Sequence, residues 1–227
     1  MTICIAALAD KGKSAILACD KMLTMPGLSY QIEKDYYNKN SHLEDIYVMF
    51  SGDAIAAYEV IENAKTSIAN NKKNNLLPLP DTKEVLRQSY QSYRRKIVIQ
   101  RFIETRGLTL DLYYSGKVNL PPQVAMEIEN AFQNINIGLE MIIVSKDTDN
   151  NFHIFQLIHP GELKCLDPVG YVCIGCGTIH SLYFLTGSDY SISKTKQEVK
   201  DLVEKAKKQA EKSPGVGLKT DLIELPK

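Results

Sequence analysis

The sequence has no tryptophan, no excess of either charge, no long apolar run and only five cysteines in 227 residues. The missing tryptophan excludes nothing. Lys+Arg and Asp+Glu stand at 27 each, so bulk electrostatics gives no reason to expect nucleic acid or an anionic membrane as a partner. No apolar stretch approaches the ~20 residues that cross a bilayer. The opening residues have neither the basic segment nor the long apolar segment of a secretory signal, so a cytoplasmic chain is expected. An odd number of cysteines without such a signal fits reduced thiols better than a disulfide framework. There is no internal repeat and no low-complexity linker.

What is there reads as one domain over residues 1–227, with ordinary hydrophobic (44%) and charged (24%) content. Met1–Leu8 and Ser14–Cys19 are apolar runs around the polar turn Asp10-Lys11-Gly12-Lys13, which predicts a hairpin with both arms largely buried. A polar stretch from Thr24 to Lys39 follows, with a turn signal at Pro26-Gly27. Lys39–Leu43 and Ile46–Ser51 predict a second hairpin around Glu44-Asp45, giving four strands before any helix. Helices are expected from Asp53, with Ala54, Ile55, Tyr58, Ile61 and Ile68 at helical spacing, and from the cap Asp81 to about Arg106. Asn70 to Pro80 reads as the loop between them. The second helix carries Arg87, Arg94, Arg95, Lys96, Arg101 and Arg106, read as a solvated face rather than a nucleic-acid stripe.

Pro121-Pro122 opens a short third helix, and strands are expected at Leu139–Val144, Phe152–Ile158, Gly161–Cys165 and Tyr171–Ile174. A helix from Thr178 to Leu185 precedes one from Lys194 to Lys212. The latter carries an apolar stripe at Val199, Leu202, Val203, Ala206 and Ala210, with its lysines in water. Leu218–Leu225 closes the chain as a strand. Because strands and helices come in blocks, the expected fold is α+β: a four-layer αββα sandwich of two mostly antiparallel sheets flanked by helices.

Thr2 heads the first strand. Initiator methionine is normally removed before so small a residue, which would leave a hydroxyl nucleophile and a basic amine in one residue. Such a pair needs a lysine to stabilise the hydroxyl as it loses its proton, an aspartate to pair that lysine, and a backbone N–H to receive the developing oxyanion. Asp20, Lys39 and Gly52 sit at strand ends that could converge on Thr2. Each also has a plain structural alternative: a strand-end cap, a surface lysine and the residue before an N-cap. Cys173-Ile174-Gly175-Cys176 is formally a CxxC, but Cys4, Cys19 and Cys165 supply no second pair for zinc, so strand-end thiols in an apolar setting are expected. His42, His153, His159 and His180 have no ligand spacing.

Taken together, Thr2-Ile3-Cys4-Ile5-Ala6-Ala7, Ala15–Thr24 with Asp20 inside it, Lys39 followed by Leu43, Ser51-Gly52-Asp53-Ala54 and Ile174-Gly175-Cys176-Gly177 resemble a proteasome β-subunit, of the N-terminal-nucleophile hydrolase superfamily. The likeness covers about residues 2–70 and 139–210, and about 95–135 reads as a helical insertion. It implies a threonine-type peptidase with Thr2 as nucleophile, activated by Asp20 and Lys39, and the Gly52 N–H as oxyanion donor. Neither a cofactor nor a metal is implied. Cys176 stands where the family has a serine that positions the terminal amine, and thiols are weaker donors. Glu211-Lys212-Ser213-Pro214-Gly215-Val216-Gly217 lacks the aspartate the family carries there, with Ser213 out of step. The implied partners are a peptide or unfolded protein substrate, a homo-oligomeric ring and an unfoldase ATPase, with no nucleic acid and no membrane. The alternatives are a catalytically weak or inactive structural subunit that assembles into rings, and an amidase acting on a small molecule.

Overall fold

The computed structural model describes residues 2–25, 30–33, 39–44, 46–73 and 81–226. The chain is α+β: among the described residues two main antiparallel sheets, with a separate two-stranded pair, are flanked by helices. By contacts it divides into two compact units, one of residues 1–54, 139–158 and 163–227, the other of 55–138 and 159–162.

The first unit holds the two main sheets, apart from Glu162 at the start of β9. Its first sheet runs in the order β10 (Tyr171–Ile174), β1 (Cys4–Ala9), β2 (Ser14–Asp20), β11 (Thr220–Leu225). β1 reads as a continuous apolar run because both of its faces are covered, and alternation sorts its residues. Cys4, Ala6 and Leu8 join Ala15, Leu17 and Cys19 of β2 in the core between the sheets. Ile3, Ile5, Ala7 and Ala9 join Ile16 and Ala18 in a second core beneath helices α5 (Thr178–Gly187) and α6 (Lys196–Ala210). The second sheet contains β5 (Asn40–Leu43), β6 (Ile46–Gly52), β7 (Leu139–Lys146), β8 (Phe152–Ile158) and β9 (Glu162–Cys165) in that order. It meets the first through Met49, Ile142, Val144, Phe152 and Ile154. Each large side chain buried here contributes about 1.5–3 kcal/mol. In β8, His153 is held between Asp167 (Nδ1···Oδ2 2.7 Å) and Asp147 (Nε2···Oδ2 3.1 Å).

Among the described residues six strands, not four, precede the first α-helix. β3 (Met22–Met25) pairs with β4 (Tyr30–Glu33), the hairpin beginning two residues ahead of the stretch read as polar and running into it; the Pro26-Gly27 turn lies outside the described residues. Thr24, Gln31 and Glu33 hide that hairpin, since ladder pairing needs no apolar alternation.

The second unit contains α1 from Ile55 onward (the helix spans Ala54–Lys73), α2 (Thr82–Val98), α3 (Leu110–Tyr114) and α4 (Pro122–Asn134). Asp81 caps α2 through the Lys83 N–H at 3.0 Å. The helix continues as a π turn over Ile99–Ile103 and a 3-10 turn over Glu104–Arg106. Two sequence readings fail in this unit. The buried stripe of α1 is Ala56, Ala57, Val60, Ile61 and Ala64, whereas Ile55 and Tyr58 are 71% and 67% exposed. Of the residues expected at helical spacing Ile61 is buried, whereas Ile55 and Tyr58 face away because Ala56, Ala57 and Ala64 fill much of the buried face. Nor does Arg94 lie on a solvated face. Its guanidinium donates to the carbonyls of Ile135 (3.0 Å), Pro160 (3.0 Å), Phe132 (3.3 Å) and Gln133 (3.2 Å), closing the C-terminal end of α4. A cation there answers the carbonyls that a helix end leaves unpaired.

Candidate active site

Strand register builds the site. β1 and β2 pair Cys4 with Cys19, and one step further the Asp20 N–H donates to the Ile3 carbonyl at 3.1 Å. On the other side β1 and β10 pair Cys4 with Ile174, so continuing that register sets Cys176 opposite Thr2. Lys39 immediately precedes β5, and its carbonyl accepts the Phe50 N–H of β6 at 3.1 Å. Thr2, Asp20 and Lys39 are 2%, 0% and 4% exposed.

Asp20 is the hub. Its Oδ1 accepts from the Lys39 ammonium at 2.6 Å, from the Ile3 N–H at 3.1 Å and from the Thr2 hydroxyl. Its Oδ2 accepts the Gly217 N–H at 2.8 Å. Lys39 Nζ also donates to Thr2 Oγ1, so hydroxyl, ammonium and carboxylate close a triangle. A buried ion pair survives only when its remaining donors and acceptors are satisfied, and four donors saturate this carboxylate.

The Thr2 nitrogen donates to Cys176 Sγ at 3.2 Å, and the same thiol lies 3.4 Å from the Thr2 carbonyl and 3.7 Å from the Pro214 carbonyl. The Gly177 N–H donates to the Thr2 carbonyl at 3.3 Å. Between them Gly175 adopts φ +103°, and a β-carbon there would collide with the Thr2 carbonyl, so only glycine fits. Ser213 Oγ donates to the Cys176 carbonyl at 3.1 Å rather than to Thr2. The Glu211 carboxylate is taken by Lys207 (2.8 Å) and Lys208 (2.6 Å). Burial pushes Glu211 up, but the hydrogen bonds from the two lysines outweigh it and hold this acid below its ordinary range.

The structure thus brings Thr2, Asp20, Lys39 and Cys176 together. Gly52 ends β6 two residues beyond Phe50, with φ +106°; among the described contacts none joins it to Thr2. The expectation of strand-end thiols in an apolar setting holds for Cys173, whose thiol burial raises to about 12, but not for Cys176, which is exposed. Burial likewise holds the Cys4 thiol well above its usual value. Among the described residues no group of three or more His, Cys, Asp or Glu could hold a metal ion, and no helix is long and apolar enough to cross a membrane.

Sequence reasoning missed Gly217 and Lys207. Residues 203, 206, 207 and 210 follow i, i+3, i+4, i+7, so Lys207 stands on the apolar stripe of α6, which was the available signal. Lys207 is 2% exposed, which corrects the reading that all lysines of this helix lie in water.

No protein-family model matches the chain, and none of the curated proteins does. Among solved structures it is similar to an Anbu protein, the (Gly-1) mutant from Hyphomicrobium sp. strain MC1. The TM-score is 0.66 at 14% identity, over 98% of this chain and 80% of that one. At that identity the likeness shows the fold alone, an α+β arrangement of antiparallel sheets flanked by helices.

Proposed function

We propose that this chain is a threonine-type peptidase of proteasome β-subunit type, acting through Thr2 once Met1 has been removed. The observation that carries the reading is the buried triangle of Thr2 Oγ1, Lys39 Nζ and Asp20 Oδ1, with 2.6 Å between the ammonium and the carboxylate. An ammonium held against a hydroxyl stabilises the alkoxide that attack requires, and a carboxylate fixes the ammonium in place. The freed Thr2 amine takes the hydroxyl proton as Oγ1 bonds to the substrate carbonyl carbon. The oxyanion so formed is received by the Gly52 N–H. As the peptide C–N bond breaks, the amine passes its proton to the leaving nitrogen; water, deprotonated by the same amine, then attacks the ester carbon, and the C–Oγ1 bond breaks as the amine returns that proton to Oγ1. The substrate class is a peptide or unfolded protein, handled in the cytoplasm by a homo-oligomeric ring that an unfoldase ATPase would feed.

A second reading, an inactive structural subunit that assembles into rings, is favoured by two observations. The Thr2 nitrogen meets a thiol, and the one acid of the 211–217 segment is occupied by lysines. Labelling separates the two. Intact mass of protein from its own host is expected to lack Met1, and an epoxyketone directed at N-terminal threonine is expected to add once, at Thr2. Retention of Met1 on most molecules would end the peptidase reading. Thr2→Ala is expected to lower peptide-amide hydrolysis by on the order of 10³-fold or more while the fold persists; unchanged hydrolysis excludes Thr2 as the nucleophile.

A further inference from the structure

Lys207 is a buried ammonium that the chemistry above does not use. All three of its protons are placed: on Glu211 Oε1 at 2.8 Å, on the Gly217 carbonyl at 2.8 Å and on the Leu218 carbonyl at 2.9 Å. A cation near the end of α6 is favourable for the helix itself, yet that does not account for where the two carbonyls lead. Gly217 is gripped from both sides, its carbonyl by Lys207 and its N–H by Asp20 Oδ2 at 2.8 Å. The backbone passes so close that a β-carbon on Gly217 would lie 3.2 Å from Asp20 Oδ2 and 3.1 Å from Met22 Cβ. The same connection between α6 and β11 reaches the other flank of Thr2, where Ser213 Oγ donates to the Cys176 carbonyl and the Cys176 thiol faces the Pro214 carbonyl. One loop therefore touches both the carboxylate that orients the Thr2 hydroxyl and the residue beside the Thr2 nitrogen.

We infer that Lys207 is a positioning residue for this site, clamping the 213–218 loop so that the Gly217 N–H holds Asp20 in line with Thr2 and Lys39. The inference rests on the reading of Thr2 as the nucleophile. Without the ammonium the Gly217 and Leu218 carbonyls lose their common donor, and Asp20 loses the fixed amide that sets its rotation. A displacement near 1 Å costs an active site on the order of 10²-fold, so the expected effect is on the reaction step and not on how a ligand docks.

The test follows epoxyketone addition to Thr2 by intact mass at a series of concentrations, for the parent chain, Lys207→Met and Lys208→Met. In Lys207→Met the saturating rate is expected to fall tenfold or more while the half-saturating concentration stays within twofold, a split that general loosening of the fold would not produce. Lys208→Met removes the exposed partner of the same Glu211 and is expected to label at the parent rate. A folded Lys207→Met that labels as fast as the parent overturns the inference and leaves the nucleophile standing. No labelling of the parent overturns the Thr2 reading and this inference with it. Where Lys207→Met fails to fold, hydrogen exchange on the parent decides: a Gly217 amide as protected as those of β2 supports the clamp, and one exchanging like a free loop overturns it.

Discussion

Lys39 and Arg94 are both cations withdrawn from water, one in each compact unit, and their surroundings teach different lessons. Lys39 faces a carboxylate and a hydroxyl. Arg94 faces four neutral carbonyls, three of them from residues 132–135 at the end of α4. Burial lowers the Arg94 guanidinium from its ordinary value, but that value is so high that the group stays charged. Its role is to complete a helix end. Lys39 touches a group that can gain or lose a proton during a reaction. Burial of a cation thus does not mark a working site; the chemistry of its acceptors does.

The comparison can be broken most forcefully at Lys39. Lys39→Met leaves Asp20 buried without its cation, and a broken buried pair costs roughly 3–5 kcal/mol. The Ile3 and Gly217 amides that still bond Asp20 put the expected loss at the low end. Peptide-amide hydrolysis per folded molecule is expected to vanish with it; hydrolysis at the parent rate would remove Lys39 from the mechanism. Arg94→Met should cost about 3 kcal/mol through its orphaned carbonyls, read as a lower midpoint in urea. Epoxyketone labelling of the folded fraction should not change, and a labelling defect there would erase the contrast between the two cations.

Smaller effects sharpen it. Cys176→Ser gives the Thr2 nitrogen a stronger hydrogen-bond partner and should raise hydrolysis about fivefold, near 1 kcal/mol; a slower enzyme would mean the sulfur is the better fit. The smallest effect concerns His153. Its hydrogen bonds to Asp167 and, after the opposing effect of partial burial, to Asp147 raise its pKa above the ordinary value. Stability from this clamp is therefore full below pH ~6.5 and lost as pH rises through the folded value. With the ring a third exposed, about 0.5 kcal/mol is expected. Melting temperature against pH in His153→Gln should lack that slope, and an unaltered slope would assign it elsewhere.

The strands of both main sheets were legible because β1, β2, β6 and β7 are apolar runs ended by polar residues, and those ends carry Asp20 and Gly52. Once β1 and β2 are paired, register alone brings Asp20 to the Ile3 position. The rest was hidden for separate reasons. Ile55 and Tyr58 sit at helical spacing yet face outward, because spacing gives a period and not a direction. Arg94 and Lys207 look like solvent-side residues because hydropathy scores a cation the same whether carbonyls or water receive its protons. Gly217 reaches Asp20 across 197 residues of sequence, and no local pattern encodes a loop's approach to a distant strand end. The role of Cys176 had a visible trace, in that two glycines surround it where β10 runs out.

Gly175 bears on how this chain can vary over generations. The Thr2 carbonyl occupies the space that any side chain at position 175 would need. Even alanine there would shift the chain's first turn of backbone, carrying the hydroxyl off its lysine without altering one reactive group. Inheritance can therefore silence such a protein at a residue with no chemistry of its own.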